Sequence, residues 1–165
     1  MSKQKMAHYE QNENTLMKQF IDSFKEITEH SFTTGRVAYD GWYKTSINDI
    51  PTVFEIKVRN TKIDQYPDYI LQADKANSLA KFVNKGYNVK YINFFTNDTG
   101  TYDCIVFDIN YRTELWRKQG MENVIEQKYM NAATYISNQK IAKNVIMLKY
   151  DDKIDSKITN TKWQL

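Results

Sequence analysis

The chain has 165 residues, a length that predicts one domain spanning residues 1–165 with a single hydrophobic core. Its formal net charge of +3 permits a polyanionic partner without requiring one. One Cys and two His exclude an internal disulfide and a structural zinc site built from soft ligands, so any metal would need oxygen ligands.

The first half of the chain is predicted to hold two helices around a β-hairpin. Apolar residues recur every three to four positions from Asn14 to His30, which predicts an amphipathic helix. Two β-rich runs, residues 36–44 and 51–59, are joined by a polar connection that suits an antiparallel hairpin. A second helix is predicted from Pro67 to Lys85 and ends before Gly86.

The second half is predicted to contribute strands over residues 88–96, 101–109 and 143–150. Residues 111–139 read as irregular and then helical, and the polar tail after Asp151 has no predicted role in the core. The fold class that follows is α/β, with a mixed central sheet of about five strands flanked by three helices.

No apolar run approaches the roughly 18 residues of a membrane span, and the polar N-terminal segment lacks the apolar core of a secretory signal. A single cysteine, Cys104, suits a reducing compartment. We therefore expect a soluble cytoplasmic protein without a membrane partner.

The residues Glu55 and Lys57 stand out within the strand predicted over residues 51–59. Side chains alternate across a strand, so both lie on one face with Val53, while Phe54 points to the core. Taken alone, this pattern is more typical of a solvated face. The chain repeats the same spacing at positions 126 and 128, in a segment predicted to be helical, where residues two apart point in different directions. It also repeats it at 151 and 153 and at 155 and 157, at or beyond the last predicted strand, with no hairpin partner before them.

The hairpin gives Glu55 a partner. If the chain turns about Ile47 and Asn48, Asp40 lies opposite Glu55 and the two carboxylates converge. Opposed like charges are unfavourable unless positive charge lies between them, which Lys57 and a divalent cation would supply. Asp49 is the alternative to Asp40, but its place in the turn makes Asp40 the better choice.

Three polar residues of the predicted helices add to this group. Glu13 projects down the middle of the first helix's apolar stripe. Gln72 and Lys75 lie among the apolar residues of the second helix. For Gln72, a polar group reaching solvent at the rim of the sheet is as good an interpretation as a functional role.

In their order and spacing, Glu13, Asp40 and Glu55-Ile56-Lys57 resemble the PD-(D/E)xK nuclease superfamily, which has the restriction-endonuclease-like fold. Within it the pattern is most similar to archaeal-type Holliday junction resolvases. The resemblance covers about residues 10–110, and residues 111–165 are C-terminal additions with no counterpart in it. There are two departures. Tyr39 stands where the superfamily name has proline, and Ala76 stands where some relatives have tyrosine.

The resemblance implies an endodeoxyribonuclease that depends on Mg²⁺ or Mn²⁺. It implies metal ligation by Asp40, Glu55 and the backbone carbonyl of Ile56, oxygen ligands of the kind that these ions prefer. It also implies that Glu13 binds a second metal or holds a metal-bound water. Lys57 would orient the attacking water or contact the phosphate.

Gln72 would then steady the attacking water, and Lys75 would contact the scissile strand. The implied partner is DNA, with branched or junction duplexes among the expected substrates, and a homodimer is expected because cutting two strands requires two sites. Basic residues around the predicted cleft are candidates for phosphate contacts: Arg36, Lys44, Arg59, Lys62 and Lys81.

Two other functions remain open at this point. One is a DNA-binding module of the same fold that does not cut. The other is a protein-interaction module whose hairpin face is an interface, consistent with exposed aromatic side chains at Trp42, Tyr43 and Trp116.

Overall fold

The computed structural model describes residues 3–35, 37–131, 139–159 and 161–164, with side chains from residue 11 onward. These residues form four helices and nine strands. In chain order they are α1 (Lys3–Asp22), β1 (Ile27–Phe32), β2 (Gly41–Thr45), β3 (Asn48–Arg59), β4 (Asp68–Gln72), α2 (Ala73–Asn84), β5 (Asn88–Thr96), β6 (Tyr102–Asp108), α3 (Ile109–Gln119), α4 (Met121–Val124), β7 (Ile125–Asn131), β8 (Lys140–Lys149) and β9 (Ser156–Ile158).

A six-stranded central sheet has the order β1-β2-β3-β5-β6-β9. Its first three strands form an antiparallel meander, and the chain then crosses over through α2 so that β5 pairs parallel to β3. The remaining pairs, β5 with β6 and β6 with β9, are antiparallel. The prediction of an α/β fold with a mixed central sheet and flanking helices is confirmed.

A second sheet of three antiparallel strands, in the order β4-β8-β7, was not predicted. Tyr69 and Leu71 of β4 pair with Leu148 and Ile146 of β8, and all four side chains are buried. Together with α2 and α3 they cover one face of the central sheet, where Val53, Val89, Tyr91, Phe95, Ile105 and Phe107 lie.

Helix α1 covers the opposite face of the central sheet. Its buried stripe of Leu16, Met17, Phe20 and Ile21 packs on Phe54, Ile56, Ile92, Phe94 and Cys104. Because both faces are covered, β3 lies in the interior of the fold, and the face of β3 that carries Glu55 borders a second core.

The predicted core residues are largely confirmed. Phe20, Phe54, Ile56, Leu79, Ile92 and Phe94 are buried, while Phe24, Val58 and Phe82 are partly buried. None of the helices in the described part of the chain is long and apolar enough to span a membrane.

Both predicted helices of the first half have wrong boundaries. The first was expected over Asn14–His30, but α1 ends at Asp22 and residues Ile27–Phe32 form the edge strand β1. Phe24 and Ile27 still pack on the same core as α1, which explains why the helical periodicity continued past the helix end. The second was expected from Pro67, but residues Asp68–Gln72 form β4, where Tyr69 and Leu71 alternate with more exposed neighbours.

The predictions for the last third were also wrong in part. The strand expected over residues 143–150 is present within β8, but the segment expected to be irregular and then helical contains α3, α4 and β7. The rest of that prediction, over residues 132–138, lies outside the described residues. The tail contributes β9 and the buried side chains of Asp155 and Trp163.

Candidate active site

The hairpin of β2 and β3 has the predicted register next to the candidate site. Gly41 pairs with Phe54 and Trp42 with Val53. Asp40, one residue before β2, donates its amide to the Phe54 carbonyl at 3.0 Å. This places Asp40 beside Glu55, as the sequence predicted.

The backbone around Asp40 is tightly held. The pairing of β2 with β3 ends at Gly41. Beyond it, on the edge of β3 that faces β2, the amide of Ile56 donates to Asp40 Oδ2 at 2.7 Å. The Asp40 carbonyl accepts the Thr33 amide at 2.8 Å. In a strand the N–H and C=O of one residue point to the same edge, so the Ile56 carbonyl lies on the Asp40 side.

Glu55 is the most strongly perturbed acid of the site. Its side chain is 12% exposed, and its Oε1 lies 2.9 Å from Lys75 Nζ. Its Oε2 is buried and meets no hydrogen-bond partner among the described residues. Burial, and next the charge of Asp40, raise the pKa of Glu55 to about 8 against the opposing effect of Lys75. Without a cation, Glu55 therefore holds a proton at neutral pH.

The face of β3 that carries Glu55 is covered, so the interpretation as an ordinary solvated face is wrong. Glu55 pairs with the buried Tyr91 of β5. Arg59 donates to Asn93 Oδ1 at 2.9 Å, to the Ile70 carbonyl at 2.6 Å and to the Tyr91 hydroxyl at 3.0 Å. These bonds join β3, β4 and β5, so Arg59 has a structural role, and because it also lines the cleft its phosphate contact stays a prediction.

A cleft of about 640 Å³ opens beside Glu55 and contains every residue predicted for the site. Its predicted members are Glu13, Asp40, Glu55, Ile56, Lys57, Gln72 and Lys75. Asp49, the alternative first carboxylate, is exposed and does not line it. The structure thus brings the predicted residues together, while their chemical roles remain predictions.

The donor set fits a divalent metal of the Mg²⁺ type. Such ions are usually held by one or two carboxylates and keep several waters. Asp40 and Glu55 supply two carboxylates, and the buried Oε2 of Glu55 is an oxygen acceptor that a cation would satisfy. Within the described residues, no three His, Cys, Asp or Glu side chains group closely enough to hold a metal. Glu13 therefore lines the cleft apart from the Asp40–Glu55 pair.

Sequence reasoning missed the residues of β7 and β8 that line the cleft. Tyr129, Met130 and Asn131 of β7 and Lys140 and Lys143 of β8 line it. The segment was expected to be helical, and the pairing of β8 with β4 joins residues that are far apart in sequence. The sequence feature that could have pointed to this part of the cleft is an aromatic residue, Tyr129, in a run of mostly polar residues.

Several surface predictions are also resolved. Trp116, expected to be an exposed interaction residue, is 6% exposed and belongs to the core. Lys44 lies 3.6 Å from Glu29, and Lys62 lies 2.7 Å from Asp98, so both have acidic neighbours. Arg36 lies outside the described residues.

No protein-family model matches the chain, and no curated protein sequence matches it significantly. Among solved structures, it is similar to Hjc, a Holliday junction resolvase from the archaeal hyperthermophile Archaeoglobus fulgidus. The TM-score is 0.43 and the identity 10%, over 83% of this chain and 90% of that chain. A similarity this weak says nothing about function, which has to be argued from the site itself.

Proposed function

We propose that the protein is a metal-dependent DNA endonuclease that hydrolyses phosphodiester bonds in the cleft beside Glu55. The observation that supports this most is the Asp40–Glu55 pair. Two adjacent carboxylates, one with a buried oxygen that meets no hydrogen-bond partner in the described part of the chain, line the same cleft as Lys57 and Lys75. Such a site pairs metal-ligand oxygens with cations that favour phosphate.

Asp40, Glu55 and the Ile56 carbonyl would hold Mg²⁺ or Mn²⁺. A bound ion of this kind supplies charge neutralisation at a phosphate and a lower pKa for water. Binding requires the Glu55 proton to leave, because the ligand form of a carboxyl group is the anion. The short bond from the Ile56 amide holds Asp40 in place before any metal arrives.

The two lysines have different parts in this proposal. Lys75 pairs with Glu55 and fixes the orientation of that carboxylate. Lys57 lies on the same strand face as Glu55 and would orient the attacking water or contact the phosphate. Gln72, which is the exposed last residue of β4 and not part of the helix predicted for it, would steady that water, and Glu13 would hold a water of the metal.

Branched or junction duplexes are the proposed substrates, cut by a homodimer because two strands need two sites. A protein-interaction role for the hairpin face has lost part of its basis, since Trp116 is buried and Trp42 packs partly against the core.

The test is cleavage of labelled linear, nicked, flapped and four-way DNA with Mg²⁺ or with EDTA. Asp49→Asn is a matched control for Asp40→Asn, because Asp49 is an exposed carboxylate on the same hairpin. We expect wild-type protein and Asp49→Asn to cut only with Mg²⁺, and Asp40→Asn to lose at least about 100-fold in rate. An inactive wild-type protein, or an Asp40→Asn variant with full activity, would contradict the proposal.

A further inference from the structure

The β7–β8 hairpin forms a two-stranded arm beside the cleft. β8 pairs with β4 only from Val145 to Lys149, whereas its pairing with β7 extends outward to Asn131 and Lys140. The outer half of the hairpin therefore extends beyond the end of β4. Five of its residues line the same cleft as Asp40 and Glu55: Tyr129, Met130, Asn131, Lys140 and Lys143.

This arm carries the excess positive charge of the protein. Residues 125–149 contain four lysines and one glutamate, which gives them a net +3. The whole chain also has a formal net charge of +3, so the remaining residues carry equal numbers of positive and negative charges. Two of the four lysines, Lys140 and Lys143, line the cleft, where their charge would attract a polyanion.

Tyr129 is the most unusual residue of the arm. Its side chain is 79% exposed and lies opposite the small residue Ala142. An aromatic ring beside a basic groove is a platform on which a nucleic-acid base can stack. A base inside a duplex is already stacked on its neighbours, so only an unpaired base is able to occupy this position.

We propose that the β7–β8 arm binds single-stranded DNA next to the scissile phosphate, with Tyr129 stacking on a base and Lys140 and Lys143 contacting phosphates. This rests on the proposed function for its place beside a cutting site. It narrows the substrate class to DNA with unpaired nucleotides, such as flaps and junctions that open.

Binding is measured without metal, so that it is independent of cleavage. Fluorescence anisotropy of a labelled oligothymidylate and of a duplex, in EDTA and low salt, gives the two affinities. We expect Tyr129→Ala to weaken single-strand binding by about 5- to 100-fold and duplex binding far less. Tyr129→Phe keeps the ring and is expected to bind like wild type.

Tyr111→Ala is the matched control, because Tyr111 is an exposed tyrosine on α3 that does not line the cleft. It is expected to leave both affinities unchanged. Full single-strand affinity in Tyr129→Ala overturns the proposal, as do equal losses on single strand and duplex. A wild-type dimer that Tyr129→Ala converts to monomer also overturns it, by assigning Tyr129 to self-association.

The lysines are tested by the dependence of affinity on salt. Each phosphate contact that is lost should lower the slope of log K against log salt by about 0.7 for a single strand. Lys140→Ala and Lys143→Ala are expected to show this change, and the exposed Lys118→Ala on α3 is not. Slopes that all equal the wild-type value contradict the phosphate contacts.

The outcomes separate this proposal from the proposed function. If the wild-type protein binds single strands through Tyr129 but never cuts DNA, the arm keeps its role and the endonuclease proposal fails. If the protein cuts DNA and Tyr129→Ala binds and cuts like wild type, the endonuclease proposal stands and the role of the arm is wrong.

Discussion

Glu55 Oε1 and Lys75 Nζ lie 2.9 Å apart, a contact that joins the interior strand β3 to helix α2. The two side chains are 12% and 30% exposed, so the pair is partly shielded from water. Asp40 repels the charged form of Glu55, and Lys75 offsets part of that repulsion. The position of Lys75, two residues after α2 begins, thus affects both the charge and the orientation of Glu55.

Replacement of Lys75 by methionine is expected to slow cleavage by about 10- to 100-fold at saturating Mg²⁺. The change keeps the length of the side chain but removes the cation that orients Glu55. The fold should survive, because Glu55 can keep its proton. The measurement is single-turnover cleavage, with Lys81→Met as the control, since Lys81, although predicted as a phosphate contact, is an exposed lysine of the same helix that does not line the cleft. A wild-type rate of cleavage in Lys75→Met would show that Lys75 has no role in the reaction.

Replacement of Glu55 by glutamine is expected to change how stability depends on pH. The fold raises the pKa of this carboxyl from its ordinary value of 4.5 to about 8. Its stabilising contribution is therefore complete below about pH 4.5 and is lost as the pH rises to about 8. Glutamine stays neutral, so in EDTA the variant should exceed wild type at pH 9 by up to about 5 kcal/mol and match it near pH 4.

Urea denaturation at the two pH values measures this difference, with the exposed Glu26→Gln as control. Added Mg²⁺ should stabilise wild type and not Glu55→Gln, because the variant lacks an anionic ligand. If Glu55→Gln is less stable at both pH values, Glu55 is instead a structural partner of Lys75.

The site was predictable because it depends on local geometry. Strand alternation sets which face Glu55 and Lys57 occupy. The turn was predicted about Ile47 and Asn48, but Asn48 pairs with Thr45, and a register shift between Tyr43 and Thr45 restores the predicted pairing near Asp40. Both follow from residues close together in the sequence. Neither required knowledge of the second sheet.

The parts of the fold that were not predicted, β4 and β7, depend on contacts between segments that are distant in the sequence. The run that contains Tyr69 and Leu71 satisfies a helical pattern as well as a strand, and its pairing with Ile146 and Leu148 decides in favour of the strand. The same pairing aligns β7 beside the cleft. Short apolar runs of this kind have no single period, so sequence reasoning placed neither β4 nor Tyr129 correctly.

Gly41→Ala tests how tightly the backbone beside Asp40 is held. A Cβ at this position would overlap the ring of Phe54 and the carbonyl oxygen of Ser31. We expect a loss of about 1–3 kcal/mol in the free energy of unfolding, together with slower cleavage because Asp40 moves. Urea denaturation measures the first effect and the single-turnover rate the second.

The matched variant is Gly41→Ala combined with Phe54→Leu, which removes part of the ring that the new methyl group meets. The double variant should be less destabilised than the two single changes predict together. Strict additivity, or a Gly41→Ala variant as stable as wild type, would show that the hairpin accommodates a side chain here.

Asp155→Ala tests the tail, which the sequence had left without a role in the core. Asp155 lies at 2.6 and 2.7 Å from the two terminal nitrogens of Arg112, and both side chains are buried. Asp155 also accepts the amides of Asp108 and Asp151, while Arg112 donates to the carbonyls of Asp108 and Lys149. Through Arg112 and the Asp108 amide, Asp155 joins the tail to α3 and β6, and Arg112 in turn joins α3 to the ends of β6 and β8.

Removing Asp155 alone leaves a buried guanidinium without its anion, so we expect a loss of about 3–5 kcal/mol, while Asp152→Ala, at an exposed neighbour, should cost little. Arg112→Met together with Asp155→Leu removes both charges and should be less destabilised than Asp155→Ala. Urea denaturation compares the variants. At a temperature where Asp155→Ala is still folded, this variant should still cleave DNA, because neither Asp155 nor Arg112 lines the cleft. Equal stability of Asp155→Ala and Asp152→Ala would mean that water replaces the ion pair and that the tail is dispensable.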